Sequence, residues 1–182
     1  MVSALPVTLR LTDRTRDRKA AQAIDTSFET STIFDVVVTP RSLSLIERAL
    51  PSPRTKKYPM GDAFAPWSTW DTAWVAEDGG EILGLAAVEY EAWHARLVLW
   101  HLYVTRPRRR EGVGRALLAC VEEHARALGA HSIWLETTSV NVPGVLAYEA
   151  LGYRLCGADV TLYDTLPYDD EAALYLSKAL VG

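Results

Sequence analysis

Arg108-Arg109-Arg110-Glu111-Gly112-Val113-Gly114-Arg115-Ala116 sets two glycines and four arginines at the junction between an apolar run and an amphipathic one. Glycine tolerates positive φ and leaves neighbouring amides unobstructed. A helix starting there turns unpaired N–H groups and the positive end of its dipole toward an anion. Arginine adds forked donors matched to phosphate oxygens. The stretch reads as a cradle for a pyrophosphate.

The flanks fix its setting. Leu97 to Val104 has strand composition and ends at Thr105-Arg106-Pro107. Downstream, Val113, Leu117, Cys120, Val121, His124 and Leu128 recur at helical spacing, with Arg115, Glu122, Glu123 and Arg126 on other faces and Gly129 as a C-cap. A dinucleotide-binding turn would run directly off its strand and carry a third glycine, with an acid such as Glu136 about twenty residues on. Here Leu117 holds that third position, and the polar stretch Thr105–Glu111 intervenes. The Gly-Lys-Ser/Thr ending of a P-loop is absent.

Arg109-x-x-Gly112-x-Gly114 resembles the acetyl-coenzyme A motif of the GNAT N-acetyltransferase superfamily, Gln/Arg-x-x-Gly-x-Gly/Ala. Asn141-Val142-Pro143-Gly144-Val145-Leu146-Ala147-Tyr148-Glu149-Ala150-Leu151-Gly152-Tyr153 resembles that family's later Asn, helix, Tyr and Gly-Phe/Tyr segment. Within the superfamily the chain is similar to the streptothricin acetyltransferases through Ile24–Phe34, Arg54–Pro59, Tyr90–Trp93, Leu155–Asp164 and Glu171–Leu176.

The resemblance implies an α/β (α+β) GNAT fold, a mixed, mostly antiparallel sheet of six or seven strands flanked by helices on both faces. It implies acetyl-coenzyme A as cosubstrate, no metal, and transfer to a primary amine of a small molecule, with antibiotic resistance as one outcome. Backbone groups of Leu102, Tyr103 and Val104 would line the pantetheine arm. The pyrophosphate would lie on Arg109, Arg110, Glu111, Gly112, Val113, Gly114, Arg115 and Ala116, with Asn141 and Tyr148 also at the cosubstrate. Two other classes stay open: a coenzyme A-binding module without effective transfer, and an acetyltransferase acting on protein lysines or N-termini.

The chemistry asks for a proton acceptor and a proton donor. An alkyl ammonium with pKa about 10.4 is neutral in roughly one molecule in 2,500 at pH 7, and the leaving thiolate gains from a donor. Tyr148 matches the family's acid, or else it packs or hydrogen-bonds the sulfur. Asn141 matches a cosubstrate contact and equally suits a helix N-cap. Where streptothricin enzymes carry an acidic Glu-Asp-Ile-Glu-Val-like run, this chain has Trp100-His101-Leu102-Tyr103-Val104. His101 suits a base, but strand alternation puts it on one face with Tyr103, where it can be a core residue. Glu136 is an alternative base, Glu89 a lesser one, and a water chain a third route.

The acceptor side departs too. Met60 to Trp70 holds a single acid, Asp62, and is rich in rings: Phe64, Trp67 and Trp70, followed by Trp74. Either these rings cover the core or they flank a pocket suited to a flat, apolar amine or a cation on their π-faces.

Composition bounds the rest. With 182 residues, 49% hydrophobic and 23% charged, the chain suits a single domain over residues 1–182. A net charge of −4 disfavours a nucleic-acid partner. No apolar stretch reaches bilayer-spanning length, and Met1–Pro6 lacks the features of a signal peptide, so the expected location is cytoplasmic with no membrane partner. Monomer and homodimer both stay open. Cys120 and Cys156 lack disulfide or metal spacing and read as buried or partly buried thiols.

The coarse pass predicts a strand over Val7–Thr12, a helix over Arg14–Phe28 capped by Asp13, a helix over Ser42–Leu50 and a loop over Pro51–Trp70. Strands follow over Thr72–Glu77, Ile82–Ala92 after the turn Asp78-Gly79-Gly80, and Arg96–Val104. After the loop's helix come a strand over Ser132–Thr137, a helix near Val142–Leu151 and strands near Tyr153–Val160 and Leu174–Lys178.

Overall fold

The computed structural model describes residues 7–165 and 171–180. The reading of Met1–Pro6 lies outside them. Seven strands form a mixed, mostly antiparallel sheet, with helices and a separate two-stranded ribbon. The chain divides into two compact units.

The described residues of the first unit are 7–28, 57–133 and 180. Its strands β1 (Thr8–Leu11), β4 (Thr72–Asp78), β5 (Glu81–Glu91) and β6 (Arg96–Val104) lie in that order, each antiparallel to the next. Gly79-Gly80 closes the β4–β5 hairpin, as its composition predicts. Val75, Leu85 and Ala87 are buried in one cluster with Ala21, Ile24 and Met60, and Leu117 and Val121 of helix α2 (Val113–Ala127) are buried where that helix packs on β5 and β6. Gly84 lets α2 sit close: a Cβ there would stand 2.8 Å from Tyr103 O and 3.0 Å from a Leu117 methyl. Ala130 N–H to Ala125 O at 2.9 Å and a Gly129 φ of 72° end the helix where the sequence places its C-cap.

The predicted helix over Arg14–Phe28 is corrected to four residues, α1 (Arg18–Ala21). Its neighbours spend their backbone on side chains. Asp13 Oδ1 accepts from Thr15 N–H at 2.9 Å and Arg16 N–H at 2.8 Å, and Asp25 Oδ1 accepts from Ser27 N–H at 3.0 Å. The Asp13 bonds cap a first turn that Asp17 N–H closes onto Asp13 O at 2.9 Å, as the sequence predicts; after Ala21 the spacing tightens to Ala23 N–H on Ala20 O and Ile24 N–H on Ala21 O, both at 3.1 Å, and the helix ends. Ile24 and Phe28 are buried, whereas Ala20 and Ala23 are exposed.

Phe64 and Trp70 belong to the core, edge to face with centroids 6.1 Å apart, and Trp70 Nε1–H donates to Ala63 O. Trp74 packs edge-on against His124 at 5.2 Å, while Trp67 is 66% exposed. Of the two readings the sequence leaves open for these rings, Phe64 and Trp70 follow the first and cover the core.

Arg10 ties this unit together electrostatically, bonding buried Asp17 at 2.6 and 3.0 Å and Glu77 at 2.6 and 2.9 Å. The Arg10 bond holds the Asp17 carboxyl down at about 2. Its folded value thus lies below the unfolded one, so the stabilisation is complete above about pH 4 and is lost as pH falls toward 2. Arg10→Met takes the guanidinium fork from a buried carboxylate, leaving it only Arg16 Nε at 3.3 Å and the Asp13 N–H at 2.8 Å. It is expected to cost about 3 kcal/mol at pH 7 and to move the midpoint of acid unfolding, followed by circular dichroism, to higher pH.

The second unit comprises residues 29–56 and 134–179. Strands β7 (Ser132–Thr138), β9 (Ala173–Ala179) and β8 (Arg154–Asp159) lie in that order, and helix α3 (Val142–Ala150) follows β7. The predicted helix over Ser42–Leu50 is corrected to strand: β3 (Ser42–Lys56) pairs with β2 (Phe28–Thr39) as a ribbon. Leu43 and Leu45 alternate with Ser42 and Ser44 in burial, a period of two that the helical reading overlooked. Asp35 and Arg48 pair side by side across it at 2.6 and 3.0 Å. The predicted loop over Pro51–Trp70 accordingly begins only after Lys56. Cys120 is half-buried as expected, whereas Cys156 is exposed, a correction.

Candidate active site

The loop after β6 has the shape its glycines predict. Arg110 and Gly112 take φ of 67° and 92°, the latter a conformation at which a Cβ is strained. The first bond of α2 runs from Ala116 N–H to Gly112 O at 3.0 Å, so the N–H groups of Val113, Gly114 and Arg115 lie outside the helical ladder. A Cβ at Gly114 would meet only a Val104 methyl at 3.5 Å, so the fold itself has room for alanine there. Unpaired amides, a helix N-terminus and nearby cations are a donor set for a pyrophosphate.

The arginines divide their work. Arg109 turns its guanidinium inward. Nε donates to Val104 O at 2.9 Å, Nη1 to Ser27 O at 2.6 Å and Nη2 to Asp25 O at 3.1 Å. Arg106 N–H also donates to Asp25 O at 3.1 Å, and Asp25 N–H to Thr105 Oγ1 at 3.3 Å. The Arg109 fork therefore fixes the loop rather than reaching for phosphate. Arg108 is likewise engaged, with Glu111 at 2.7 Å and Asp78 at 3.2 Å. Arg110 and Arg115 are exposed and make no ion pair among the described residues.

Along β6, His101 and Tyr103 share a face, as alternation predicts, their rings stacked 5.8 Å apart. Tyr103 in turn lies 6.2 Å from Tyr58, which stacks on Phe28 at 5.9 Å. His101 Nδ1 is buried without a hydrogen-bond partner among the described residues, and burial pushes the imidazole down to about 4. Burial likewise keeps the Tyr103 phenol protonated. Pairing of Ala87 with His101 and Val88 with Leu99 leaves Trp100 as an extra residue, a β-bulge. Leu102 and Val104 continue the strand into the loop.

In the second unit, Asn141 caps α3: its Oδ1 accepts from Gly144 N–H at 3.1 Å and its Nδ2 donates to Thr137 Oγ1 at 2.9 Å. Tyr148 is half-buried on that helix, edge to face with buried Tyr153 at 5.4 Å. Glu136 is exposed on β7 and accepts from the Tyr163 hydroxyl at 2.7 Å. The predicted residues thus fall into two groups. The loop and His101 to Val104 share the first unit; Glu136, Asn141 and Tyr148 share the second.

Two features escaped the sequence reading. The carbonyl acceptors of Arg109 at Asp25 and Ser27 carry no signal, because any residue offers a carbonyl. Glu89 holds Thr69 Oγ1 at 2.7 Å and Trp100 Nε1 at 2.8 Å on one oxygen, and only the density of tryptophan hinted at it.

Comparison with known proteins converges. Residues 43–153 match the model of the Acetyltransferase (GNAT) family. The streptothricin acetyltransferase of Streptomyces lavendulae is 36% identical over 171 residues, covering 90% of each chain. The crystal structure of a nourseothricin acetyltransferase superposes with a TM-score of 0.86 at 36% identity, over 96% of this chain and 99% of that one. A Bacillus anthracis protein assigned as a streptothricin acetyltransferase, solved with acetyl coenzyme A, gives 0.81 at 22% identity over 96% of this chain and 99% of its own, which bears on the fold. Among the described residues no helix is long and apolar enough to cross a membrane.

Proposed function

We propose that this chain, which belongs to the GNAT acetyltransferase family, acetylates a primary amine of a streptothricin-type antibiotic. It is an acetyl-coenzyme A-dependent N-acetyltransferase. The likeness to a streptothricin acetyltransferase along nearly the whole chain supports the acceptor. The core packing of Phe64 and Trp70 removes much of the case for a flat aromatic amine.

Acetyl coenzyme A supplies the activated thioester. The amides of Val113, Gly114 and Arg115, the α2 dipole and the exposed Arg110 and Arg115 would hold its pyrophosphate, with Gly112 and Ala116 completing the turn and the Leu102, Tyr103 and Val104 backbone facing the arm. Arg109 and Glu111 act by fixing the loop. In this reading the Tyr148 hydroxyl gives its proton to the leaving sulfur, and Asn141 sets the start of its helix. His101, buried and stacked on Tyr103, is set aside as the acceptor of the ammonium proton. Glu136, exposed to water, or water itself takes that proton. The reading includes one catalytic domain over residues 1–182, a cytoplasmic location, and neither nucleic acid nor membrane as partner.

Thiol release from acetyl coenzyme A tests this against streptothricin, aminoglycosides, polyamines, aromatic amines and lysine peptides. Streptothricin is expected to turn over with the highest kcat/KM. Turnover confined to aromatic monoamines or to lysine peptides would refute the acceptor, and binding without turnover would favour the module reading.

A further inference from the structure

One surface of the first unit is unused by this chemistry. Where β5 ends, three carboxylates stand without an arginine or lysine partner among the described residues. Glu89 Oε2 accepts from Thr69 Oγ1 at 2.7 Å and Trp100 Nε1 at 2.8 Å. Glu91, two residues on and hence on the same strand face, accepts from Trp93 Nε1 at 3.1 Å and lies 3.1 Å from His94 Nε2. Asp71 accepts from Tyr90 N–H at 3.3 Å. Neutral donors orient Glu89 and Asp71 and leave their charge uncompensated.

The indoles complete the arrangement. Trp100 is 48% exposed and Trp93 84%, although tryptophan ordinarily covers apolar surface. Each is tethered by its N–H to a carboxylate; His94 packs against the Trp93 ring at 4.0 Å between centroids, and both indoles keep ring surface in solvent. Trp100 stands at the bulge and is exposed, whereas Leu97, Val98 and Leu99 before it are buried. A carboxylate fixed at the edge of an open indole offers an ammonium both ionic attraction and a cation–π contact. Trp100 also lies two residues, about 7 Å of strand, before the Leu102–Val104 stretch assigned to the pantetheine arm.

We propose that Glu89 and Trp100, flanked by Glu91 and Trp93, form an acceptor-recognition site for a second ammonium group, one other than the amine that is acetylated. The site then selects flexible polycationic acceptors over monoamines. It supplies on β5 the negative charge that the sequence lacks between Met60 and Trp70, and it rests on the proposed antibiotic acceptor.

Glu89→Gln and Trp100→Leu test it, with nourseothricin as polycationic probe and benzylamine as monoamine. Glutamine keeps an acceptor for Thr69 and Trp100, so the fold is retained, and melting temperature verifies this. The expected result is a KM for nourseothricin raised about tenfold in each variant, with kcat and the KM for acetyl coenzyme A within about twofold and benzylamine kinetics unmoved. An unchanged nourseothricin KM would overturn the site. A fall in kcat for both amines would also overturn it, showing Glu89 to be a base instead. If wild-type protein fails to acetylate nourseothricin, the proposed function fails separately. Calorimetric titration of nourseothricin then decides the site: binding weakened about tenfold by Glu89→Gln supports it, and equal or absent binding refutes it.

Discussion

Tyr148→Phe is expected to lower kcat by about a hundredfold or more while the KM for acetyl coenzyme A stays within about twofold, since a positioned general acid contributes roughly 10²–10⁴ to rate. The change removes one oxygen from a half-buried ring that keeps its edge-to-face contact with Tyr153. Fold and cosubstrate binding are thereby spared. The effect is read as steady-state kcat by thiol release, with a thermal melt as control. A fall below tenfold would mean that the phenol only packs. His101→Asn provides the contrast: with burial holding the imidazole at about 4, the kcat/KM profile between pH 6 and 8 should not move.

Arg109→Ala is expected to weaken acetyl-coenzyme A binding by tenfold or more and to destabilise the protein by about 3 kcal/mol. Three charge-assisted bonds to carbonyls are lost at once, and the carbonyls of Val104, Ser27 and Asp25 are left without that donor. Arg109→Lys should rescue little, because an ammonium is a point charge that cannot span three acceptors held by a fork. Calorimetric Kd and melting temperature check both variants. Unchanged binding in Arg109→Ala would show that the loop keeps its shape without the clamp.

The parts of the fold that were legible in the sequence are those whose cause is local. The strand to Val104, the turn at Gly112 and the helix from Val113 are written in alternation, glycine and helical spacing within one stretch. The Gly79-Gly80 hairpin and the Gly129 cap follow the same logic. The failures lie where local signals compete. Arg14–Phe28 has a helical face and Asp13 caps its first turn, but after Ala21 the bonds tighten to three-residue spacing and Asp25 Oδ1 takes the Ser27 N–H. Ser42–Leu50 forms strand because β2 is available to pair with it. The role of Arg109 could not be read, since its motif position says where the residue sits and not where its side chain turns. Nor could composition sort the tryptophans: Trp70 is buried in a cluster with Ala21, Ile24 and Leu85, whereas Trp93 is exposed beside its chain neighbours Glu91 and His94.

The Arg109 clamp also sets an order of assembly. Its acceptors at Ser27 and Asp25 lie 82 and 84 residues earlier in the chain, so the loop gains its final form only after a large closure has been made. During synthesis the acceptors emerge first and wait, and the loop that needs them follows. Competence to take up the cosubstrate therefore arises late in folding. A ligand that binds only the closed loop holds the two ends of that long segment together, so acetyl coenzyme A should protect the chain as far back as Asp25 from proteolysis, well outside the residues it touches.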